Sequence, residues 1–475
     1  MMNESVAAWV PDRRHALFLA LLTALGLVLR LLAAQGALWL DEAWSAIFAR
    51  DAASPAAVFF AVNHDNNHFA NTLWLQLVGW NAPPLLSRGL SILSGTATVA
   101  IAGLIGTRRN PLTGLIAAAL FAISPMLVTY GAEARGYAPM VLALMVAVLF
   151  VDRALAGVPL RGTPIWLGVA VVLGMLSHLT MVFGVGALTG WVAIVSAQRF
   201  GPVRAIAVTA DLMGRALLAV LAVGGLVVLA AWSSPAGYRI GGYTPYAFDS
   251  ILDAVGTMIG QSLGGAPMLN QALVVATAVL VPLALWRLTA LRDRAPFYGL
   301  LIVGLPVAVA ILQIGNGGFA RYFITASVAL LLLTAEVLAL AMRAGRVWRN
   351  VGAVACAAIL VGSLGLDRTI IAYRRGDPGV AIATMRLRAP EGAAVLITGA
   401  RSSAVLEVAA ASTGYRLRVV ATACGEARFL FVDQDGHQPM PRHRVHCGVG
   451  YGAIAGRGFS GLSGQTWQLY EREAR

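Results

Sequence analysis

The stretch ALFLALLTALGLVLRLLAAQGALWLDEAWS, Ala16–Ser45, decides the fold class of this chain. It begins as an apolar run that is long enough to cross about 30 Å of hydrocarbon, the thickness of a membrane core. It ends on two adjacent carboxylates, Asp41 and Glu42, directly after an interfacial LWL. A charge beside hydrocarbon is costly, so these acids are either solvated loop residues or have a chemical task.

The composition predicts a polytopic membrane protein. Of 475 residues, 58% are hydrophobic and only 12% are charged, which is more apolar surface than a soluble core can bury. The net charge is +13, and none of the 35 basic residues is a lysine. The arginines gather between apolar runs, as the positive-inside rule requires, so we expect no nucleic-acid partner. The lack of lysine favours a GC-rich, bacterial source and hence a bacterial plasma membrane.

About eleven apolar segments are long enough to span that membrane. The first segment is too long for a removable signal peptide and lacks a small-residue cleavage site, so we expect it to stay as the first helix. The segments start near Ala16, Leu85, Leu112, Ala138, Pro164, Thr180, Ala216, Gln271, Ala295, Tyr322 and Val351.

Arginine clusters predict how these helices are oriented. The clusters fall in alternate connections, which we place in the cytoplasm together with the N-terminus. The other connections, including residues 36–84 and everything after Asp367, are then extracytoplasmic. The cytoplasmic clusters are Arg13 with Arg14, Arg108 with Arg109, Arg153 with Arg161, Arg199 with Arg204, Arg287 with Arg292 and Arg294, and Arg343 with Arg346 and Arg349.

Two domains are predicted. Residues 1–366 form the transmembrane domain, and residues 36–84 are its first outer loop, where apolar residues at helical spacing indicate helices lying on the membrane surface. Residues 367–475 contain short apolar runs such as AVLIT and RFLFV, which favour a small extracytoplasmic α/β domain. Its TGARSS turn lacks the glycines of a dinucleotide-binding loop. In this outward domain, a disulfide between Cys424 and Cys447 is favoured over free thiols.

A polar cluster, NHDNNH, interrupts the helices of the first outer loop. His64, Asp65 and His68 are residue types that can bind a divalent metal, although their spacing matches no strong ligand motif. Alternatively, Asn67 and His68 hydrogen-bond a hydroxyl-rich ligand, or the cluster caps a helix. A divalent metal cofactor is therefore an alternative that the sequence leaves open.

Two short corners combine arginine with tyrosine at the predicted outer surface. TYGAEARGYA places Glu133, Arg135 and Tyr137 in a tight turn, and FARYF places Arg321 and Tyr322 at the start of the tenth span. Glu133 and Arg135 could simply pair. However, an outward arginine opposes the positive-inside bias, and a guanidinium can bind two phosphate oxygens at once.

Two further polar residues lie within apolar segments. Arg30 is inside the first span, where a charge is expensive and commonly functional, unless its side chain extends to the interface. His178 lies near the outer end of the fifth span, where it is either a substrate-binding residue or a hydrogen-bonded core histidine.

Five short motifs occur in order along residues 16–340. They are LWLDEAWS after the first span, NH later in that loop, SPMLVTYGAEARGYAPMVLAL across the third and fourth spans, LSHLT in the fifth and ARYFI at the tenth. Together they resemble the protein O-mannosyltransferase-like branch of the GT-C glycosyltransferases, a branch that includes the bacterial enzyme that adds aminoarabinose to lipid A. Their order is more specific than any single motif.

The resemblance implies a multispanning enzyme that takes a sugar from a polyprenyl phosphate and passes it to an acceptor hydroxyl of a protein, lipid or glycan. By the same resemblance, Asp41 is the general base and Glu42 is the second acid, although the residues themselves leave open which of the two acids is the base. Glu133 and Arg135 match the short turn of the family, and Arg321 matches its later outer arginine. The first loop has NNHFAN where related sequences often have HPP, which leaves the acceptor side open.

Elementary chemistry leads to the same assignment. A carboxylate can remove the proton of an acceptor hydroxyl as the new bond forms. Arginine stabilises the charge that develops on a departing phosphate. With these two groups, direct displacement with inversion needs no metal. The expected donor-phosphate residues are Arg135, Arg321 and Arg30, and the expected substrate-binding residues are Glu133, Tyr137, His68, Asn67, Tyr322 and His178.

Three other functions fit parts of this sequence. A lipid or sugar transporter would also have many spans, but the chain has no internal repeat and its polar residues gather on one side. A polysaccharide polymerase or ligase would use a pyrophosphate-linked donor. The C-terminal domain could be a scaffold that binds a partner, although we interpret it as a cap over the outer face.

Overall fold

The computed structural model describes residues 12–235, 237–421, 427–434, 436 and 438–473. Each predicted apolar segment forms a helix in it. Within these residues, eight helices are long and apolar enough to cross a membrane, and three shorter apolar helices account for the other segments. The prediction of a polytopic helical membrane protein is confirmed.

Proline and side-chain caps mark several helix starts. The Asp12 carboxylate accepts from the backbone N–H of His15 at 2.7 Å, and Asn110, directly before Pro111, accepts from the N–H of Thr113 at 2.9 Å; such caps satisfy N–H groups that lack helical partners. In the described chain the α-helices are α1 (Arg13–Ala33), α2 (Leu40–Asp51), α3 (Pro55–Phe60), α4 (Phe69–Val78), α5 (Pro84–Ser87), α6 (Gly89–Thr107), α7 (Pro111–Ile123), α8 (Pro125–Tyr130), α9 (Tyr137–Leu155), α10 (Thr163–Ser177), α11 (Met181–Phe200), α12 (Pro202–Ser233), α13 (Phe248–Leu263), α14 (Asn270–Arg287), α15 (Ala295–Gly299), α16 (Leu305–Ile311), α17 (Ile324–Arg343), α18 (Arg346–Tyr373), α19 (Gly379–Arg388) and α20 (Arg401–Ala411).

Some helix boundaries differ from the expected ones for local reasons. Helix α12 begins at Pro202, well before Ala216, and Gly201 with φ +83° is the single residue between α11 and α12. Pro125 divides the third span into α7 and α8, because proline cannot donate the hydrogen bond that would continue α7. A π-helical turn, Leu300–Gly304, joins α15 to α16.

The predicted arginine clusters lie together at one end of the helix bundle, which we call the arginine end. The Arg108 Nε lies 2.6 Å from the Asp152 carboxylate, and the Arg294 Nη2 lies 2.5 Å from that of Glu336. Arg199 donates to Asp293 at 2.9 Å. The clusters thus occupy one end of the bundle, because alternate connections of a membrane protein lie on the same side. Which side of the membrane this end faces stays a prediction.

The first loop packs four short helices, α2–α5, on the opposite end of the bundle, which we call the domain end. Helix α2 contacts both α4 and α20, so it lies between another helix of the first loop and the C-terminal domain. The indole N–H of Trp74 donates to the Leu86 carbonyl at 3.0 Å, while the Leu77 side chain is 77% exposed. Exposed apolar residues beside tryptophan are typical of helices at a membrane surface.

The described part of the C-terminal domain contains one six-stranded sheet, whose strand order is β2-β1-β3-β6-β5-β4. Strand β1 pairs in parallel with β2 and β3, and the remaining pairs are antiparallel. Helix α20 connects β1 to β2, so TGARSS forms the turn of a βαβ unit. The strands are β1 (Ala393–Ile397), β2 (Leu417–Val420), β3 (Phe429–Gln434), β4 (His443–His446), β5 (Val449–Arg457) and β6 (Thr466–Arg472). The predicted α/β character of this domain is confirmed.

Helix α18 continues through the predicted boundary after residue 366 and ends at Tyr373. Phe431 stacks on Trp467 in one of the two cores of the domain, with ring centroids 5.5 Å apart. Cys424 lies outside the described residues, so its disulfide with Cys447 stays a prediction.

Arg30 fills a narrow space between three helical segments near the domain end. It is 1% exposed, and its guanidinium donates to the carbonyls of Gly26 at 2.9 Å and Phe121 at 3.2 Å. A Cβ at Gly95 would lie 2.6 Å from the Arg30 Nε, and one at Gly131 would lie 2.5 Å from it. Only glycine at both positions leaves room for this buried arginine.

We therefore expect Gly95→Ala to lower the free energy of unfolding by about 1–3 kcal/mol, the usual cost of overpacking. The matched control is Gly186→Ala in α11, where a Cβ would have no neighbour within 4 Å; it should be neutral or stabilising by up to about 1 kcal/mol. Unfolding of the purified chain in mixed micelles measures both. Equal stabilities of the two variants would contradict the packing described for Arg30.

Candidate active site

A cavity of about 910 Å³ opens at the domain end of the bundle. Its walls come from α2, the first loop, the turns before α9 and α17, the segment after α10, and the C-terminal domain. Most of the predicted site residues line it. They are Asp41, His64, Asp65, Asn67, His68, Arg135, Tyr137, His178, Arg321 and Tyr322.

Asp41 lies in the first turn of α2, and two arginines converge on its carboxylate. The Nη1 of Arg135 donates to Oδ2, and the Nη1 of Arg321 lies 3.5 Å from the same oxygen. Asn66 connects the arrangement, because its Nδ2 donates to the Asp41 carbonyl at 2.8 Å and its Oδ1 accepts from the Nη2 of Arg135 at 2.7 Å. The two arginine corners expected from the sequence thus meet at one acid.

The two arginines give this wall a surplus of positive charge. Burial lowers the pKa of Arg135, but Asp41, Tyr137 and Glu133 together outweigh burial and raise that pKa above its ordinary value. The Nε atoms of Arg135 and Arg321 are buried and have no hydrogen-bond partner among the described residues. One carboxylate faces two guanidinium groups whose donors are not all used, which suits an anionic ligand.

An aromatic cluster forms the next part of the wall. The His178 and Tyr137 rings stack with centroids 4.3 Å apart, and His68 lies 4.7 Å from His178 and 5.6 Å from Tyr137. The guanidinium of Arg135 lies 5.1 Å from the centroid of the Tyr137 ring. Flat rings next to polar groups are a surface on which a sugar can lie.

Both histidines of this cluster are neutral at pH 7. Burial, reinforced by the positive charge of Arg135, lowers the pKa of His178 to about 3 and that of His68 well below its ordinary value. The Nδ1 of His68 accepts from the N–H of Gly136 at 2.9 Å, and the Nδ1 of His178 lies 2.8 Å from the Thr180 hydroxyl. In neutral His68 the proton is therefore on Nε2.

The metal candidates of the first loop are engaged with the protein. The Nδ1 of His64 lies 2.8 Å from the Asp65 carboxylate, which also accepts from the N–H of Gly241 at 3.0 Å. The described residues contain no group of three or more histidine, cysteine or acidic side chains arranged to hold a metal ion.

Glu42 does not line the cavity. It is 0% exposed and forms two hydrogen bonds with Arg88, at 2.8 Å from Nε and 2.6 Å from Nη2. It also accepts from the N–H of Ala134 at 2.6 Å. Burial raises the pKa of Glu42, but the charge and hydrogen bonds of Arg88 outweigh it, so the pKa lies below its ordinary value.

Glu133 is likewise buried and outside the cavity. Its partner is Arg375, whose Nε lies 3.2 Å from Oε1, and not Arg135, the partner that one of the two sequence alternatives gave it. Burial, with the nearby charge of Glu42, raises the pKa of Glu133 above its ordinary value despite Arg375. Arg30 also lies outside the cavity, bound to backbone carbonyls.

Several residues of the site were not singled out from the sequence. Asn66 lies in the polar cluster NHDNNH. Nothing in the neighbouring sequence indicates that it connects Asp41 to Arg135. Arg88 could have been noted, because it is a lone arginine at the start of an apolar segment. Arg375 lies in a region whose other arginines are mostly exposed, so its burial depends on distant contacts alone.

The class of the fold follows from the bundle, the helical first loop and the C-terminal sheet domain. This is the fold of the GT-C glycosyltransferases, as the sequence motifs suggested. ArnT from Cupriavidus metallidurans in the apo state superposes with a TM-score of 0.56 at 13% identity, covering 88% of this chain and 93% of that one. ArnT bound to undecaprenyl phosphate gives a TM-score of 0.54 at 13% identity, covering 96% and 97%.

Other comparisons are weaker. The oligosaccharyltransferase of Archaeoglobus fulgidus in its apo form gives a TM-score of 0.48 at 12% identity, covering 89% of this chain and 66% of that one. No protein-family model matches the sequence, and no curated protein matches it.

The buried Glu42–Arg88 pair yields a prediction for stability. Glu42→Gln leaves the Arg88 charge buried without its counter-ion, so the free energy of unfolding should fall by about 3–5 kcal/mol. Glu407→Gln is the matched control, since it removes an exposed ion pair with Arg50 and should cost less than about 1 kcal/mol. Denaturant titration in mixed micelles compares them, and equal losses would contradict the role given to Glu42.

The neutral histidines predict a pH dependence of stability. An unfolded histidine has a pKa near 6.5, whereas His178 in the folded chain has a pKa of about 3. Below pH 6.5 only the unfolded chain takes up this proton, so stability is complete above that pH and falls by about 1.4 kcal/mol per pH unit below it.

We expect His178→Gln to reduce the stability difference between pH 7.5 and 5.5 by about 1.4 kcal/mol. The control is His443→Gln, which replaces a 79% exposed imidazole. The measurement is unfolding at both pH values, and an unchanged difference for His178→Gln would show that this imidazole titrates normally in the folded chain.

Proposed function

We propose that this protein is a membrane glycosyltransferase that moves a sugar from a polyprenyl-phosphate donor to an acceptor hydroxyl, with Asp41 as the general base. The supporting observation is a partly exposed carboxylate held between Arg135 and Arg321 on the wall of a large cavity. The fold is shared with ArnT, which has been solved with undecaprenyl phosphate bound.

The donor phosphate is assigned to Arg135 and Arg321. Both are permanently charged, and each has an Nε–H without a partner among the described residues. Arginine stabilises a phosphate whose negative charge grows as the bond to the sugar breaks. No metal is needed for this step, because two guanidinium groups already supply the positive charge.

The lipid chain of the donor is assigned to the apolar part of the same cavity. Leu176 on α10, Leu179 just after it, and Val227 and Ala230 on α12 line it. Such a wall keeps the polyprenyl tail of the donor among apolar side chains, while the phosphate of the donor reaches the two arginines. The sugar would then lie against the rings of Tyr137 and His178.

Asp41 is assigned as the base because, of the two adjacent acids Asp41 and Glu42, it is the one that lines the cavity. Its side chain is 23% exposed, whereas Glu42 is fully buried against Arg88. A bound phosphate would compete with Asp41 for the two arginines, and this competition frees carboxylate oxygens to accept the proton of the acceptor hydroxyl. The hydroxyl oxygen attacks the anomeric carbon as the polyprenyl phosphate leaves, which inverts the configuration there.

Glu42 is assigned a positioning role. Its hydrogen bonds to Arg88 and to the N–H of Ala134 join the start of α2 to the turn that contains Arg135. The base and the phosphate ligand are therefore fixed relative to each other by a group that does not touch the substrate.

We place the enzyme in a bacterial plasma membrane with the arginine end in the cytoplasm, following the positive-inside rule. The cavity and the C-terminal domain then face outward. Sugar, donor carrier and acceptor would meet at the outer surface of the membrane.

The decisive test is sugar transfer by the purified chain in lipid nanodiscs. We expect Asp41→Asn to lower the transfer rate by about a hundredfold or more, because the base is lost while the side chain keeps its shape. Binding of undecaprenyl phosphate should persist. The assay supplies, in separate reactions, sugars linked to undecaprenyl phosphate and to undecaprenyl pyrophosphate, with a membrane extract as the acceptor pool. It records the anomeric configuration of the product.

The matched control is Asp51→Asn at the end of the same helix, where the carboxylate is 57% exposed and contacts Arg50; it should transfer at the native rate. Undiminished transfer by Asp41→Asn would remove Asp41 from the role of base. Transfer from pyrophosphate-linked sugars alone would favour a polymerase or ligase. No transfer from any carrier would favour a transporter, and a product of retained configuration would contradict direct displacement.

A further inference from the structure

The segment that joins α18 to the C-terminal domain has an unusual backbone. Arg374, Arg375, Gly376 and Asp377 all have positive φ angles, of 48°, 56°, 87° and 33°. Such angles are unfavourable for a residue other than glycine, because Cβ then lies close to the backbone carbonyl oxygen. They persist only where the surrounding structure determines them, and they concentrate at functional positions.

The contacts of Arg375 explain why this backbone persists. The side chain is 2% exposed, and its Nη1 donates to the carbonyl of Ala33 at 2.7 Å while its Nη2 donates to that of Thr129 at 3.0 Å. Its Nε lies 3.2 Å from Glu133. Arg375 thus joins the end of α1 to the end of α8, directly before the segments that contain Asp41 and Arg135.

Two further contacts reach the backbone just before Asp41. The Oδ1 of Asp377 accepts from the N–H of Ala37 at 2.9 Å. The Oε1 of Gln465 accepts from the N–H of Leu40 at 3.2 Å, and Leu40 is the first residue of α2. That N–H has no partner within its own helix, since the first N–H groups of a helix never do.

The same region of the C-terminal domain is closely fitted to the linker. The N–H of Gln465 donates to the Arg375 carbonyl at 3.2 Å, and the Trp467 indole donates to that of Gly376 at 2.5 Å. A Cβ at Gly376 would lie 2.1 Å from the Gln465 carbonyl oxygen. No side chain can be accommodated at Gly376 without moving the linker away from Gln465.

We propose that the C-terminal domain is a working part of the active site, because Arg375, Asp377 and Gln465 fix the backbone of residues 33–40 and thereby the position of Asp41. These are positioning residues, and the proposal rests on the transfer function proposed above. A displacement of about 1 Å at a catalytic group can cost a hundredfold in rate. The domain is therefore required for the rate of transfer and not only for stability.

The test compares variants of the full chain in lipid nanodiscs. Asp377→Ala removes the acceptor for the Ala37 N–H, whereas Asp377→Asn keeps it. We expect Asp377→Ala and Gly376→Ala to lower the single-turnover transfer rate by tenfold or more, with the dissociation constant of undecaprenyl phosphate changed by less than threefold. Asp377→Asn should restore the rate to within threefold of native.

Gly399→Ala is the control for a glycine replacement in the same domain, since a Cβ there would have no neighbour within 4 Å. It should transfer at the native rate. Native rates in both Asp377→Ala and Gly376→Ala would overturn the proposal. So would a loss of rate that is matched by an equal loss of undecaprenyl phosphate binding, because that result shows general disruption of the cavity.

A measurement that needs no activity completes the test. Amide hydrogen exchange of residues 36–42 should be faster in Asp377→Ala and Gly376→Ala than in the native chain, while exchange in α17 stays unchanged. If the native chain transfers no sugar from any carrier, the proposed transfer function is wrong. Hydrogen exchange then still tests whether the C-terminal domain fixes the backbone before Asp41. Unchanged exchange at residues 36–42 would then overturn the coupling between domain and loop.

Discussion

The domain end of this protein depends on one buried ion pair, between Glu42 and Arg88. Arg88 also donates to the carbonyls of Ala34, Gly36 and Ala37, at 2.7, 2.8 and 3.0 Å, so nearly all of its hydrogen-bonding capacity is satisfied inside the protein. A buried charge is tolerated only under that condition. The pair therefore fixes the conformation of the chain between α1 and α2. Asp41 comes directly after this segment, so its position depends on that conformation.

Charge is distributed between the two ends of the bundle for different purposes. At the arginine end, Arg108, Arg294 and Arg199 form ion pairs with Asp152, Glu336 and Asp293. At the domain end, Arg135 and Arg321 share one acid beside a large cavity, and the Nε of each has no hydrogen-bond partner among the described residues. The first arrangement holds helices together, and the second is prepared for a negatively charged ligand.

The sequence was sufficient for the architecture and for many of the residues at the cavity, but not for their partners. Apolar segments and arginine clusters depend on short-range patterns, and these predicted the helices and the common end of the arginines. Glu133 and Arg135 stand two residues apart, which suggested a pair; in the folded chain Glu133 binds Arg375, 242 positions away, and Arg135 binds Asp41. Such pairings depend on how helices pack, for which a local pattern holds no information.

The hydrogen bonds between the first loop and the C-terminal domain also have a consequence for synthesis. Ala37 and Asp377 are 340 positions apart, and Leu40 and Gln465 are 425 apart. A ribosome inserts the first helix into the membrane long before it produces Gln465. During synthesis the membrane helices therefore form before Gln465 is made, and the segment before α2 gains its hydrogen bond from Leu40 to the C-terminal domain only afterwards.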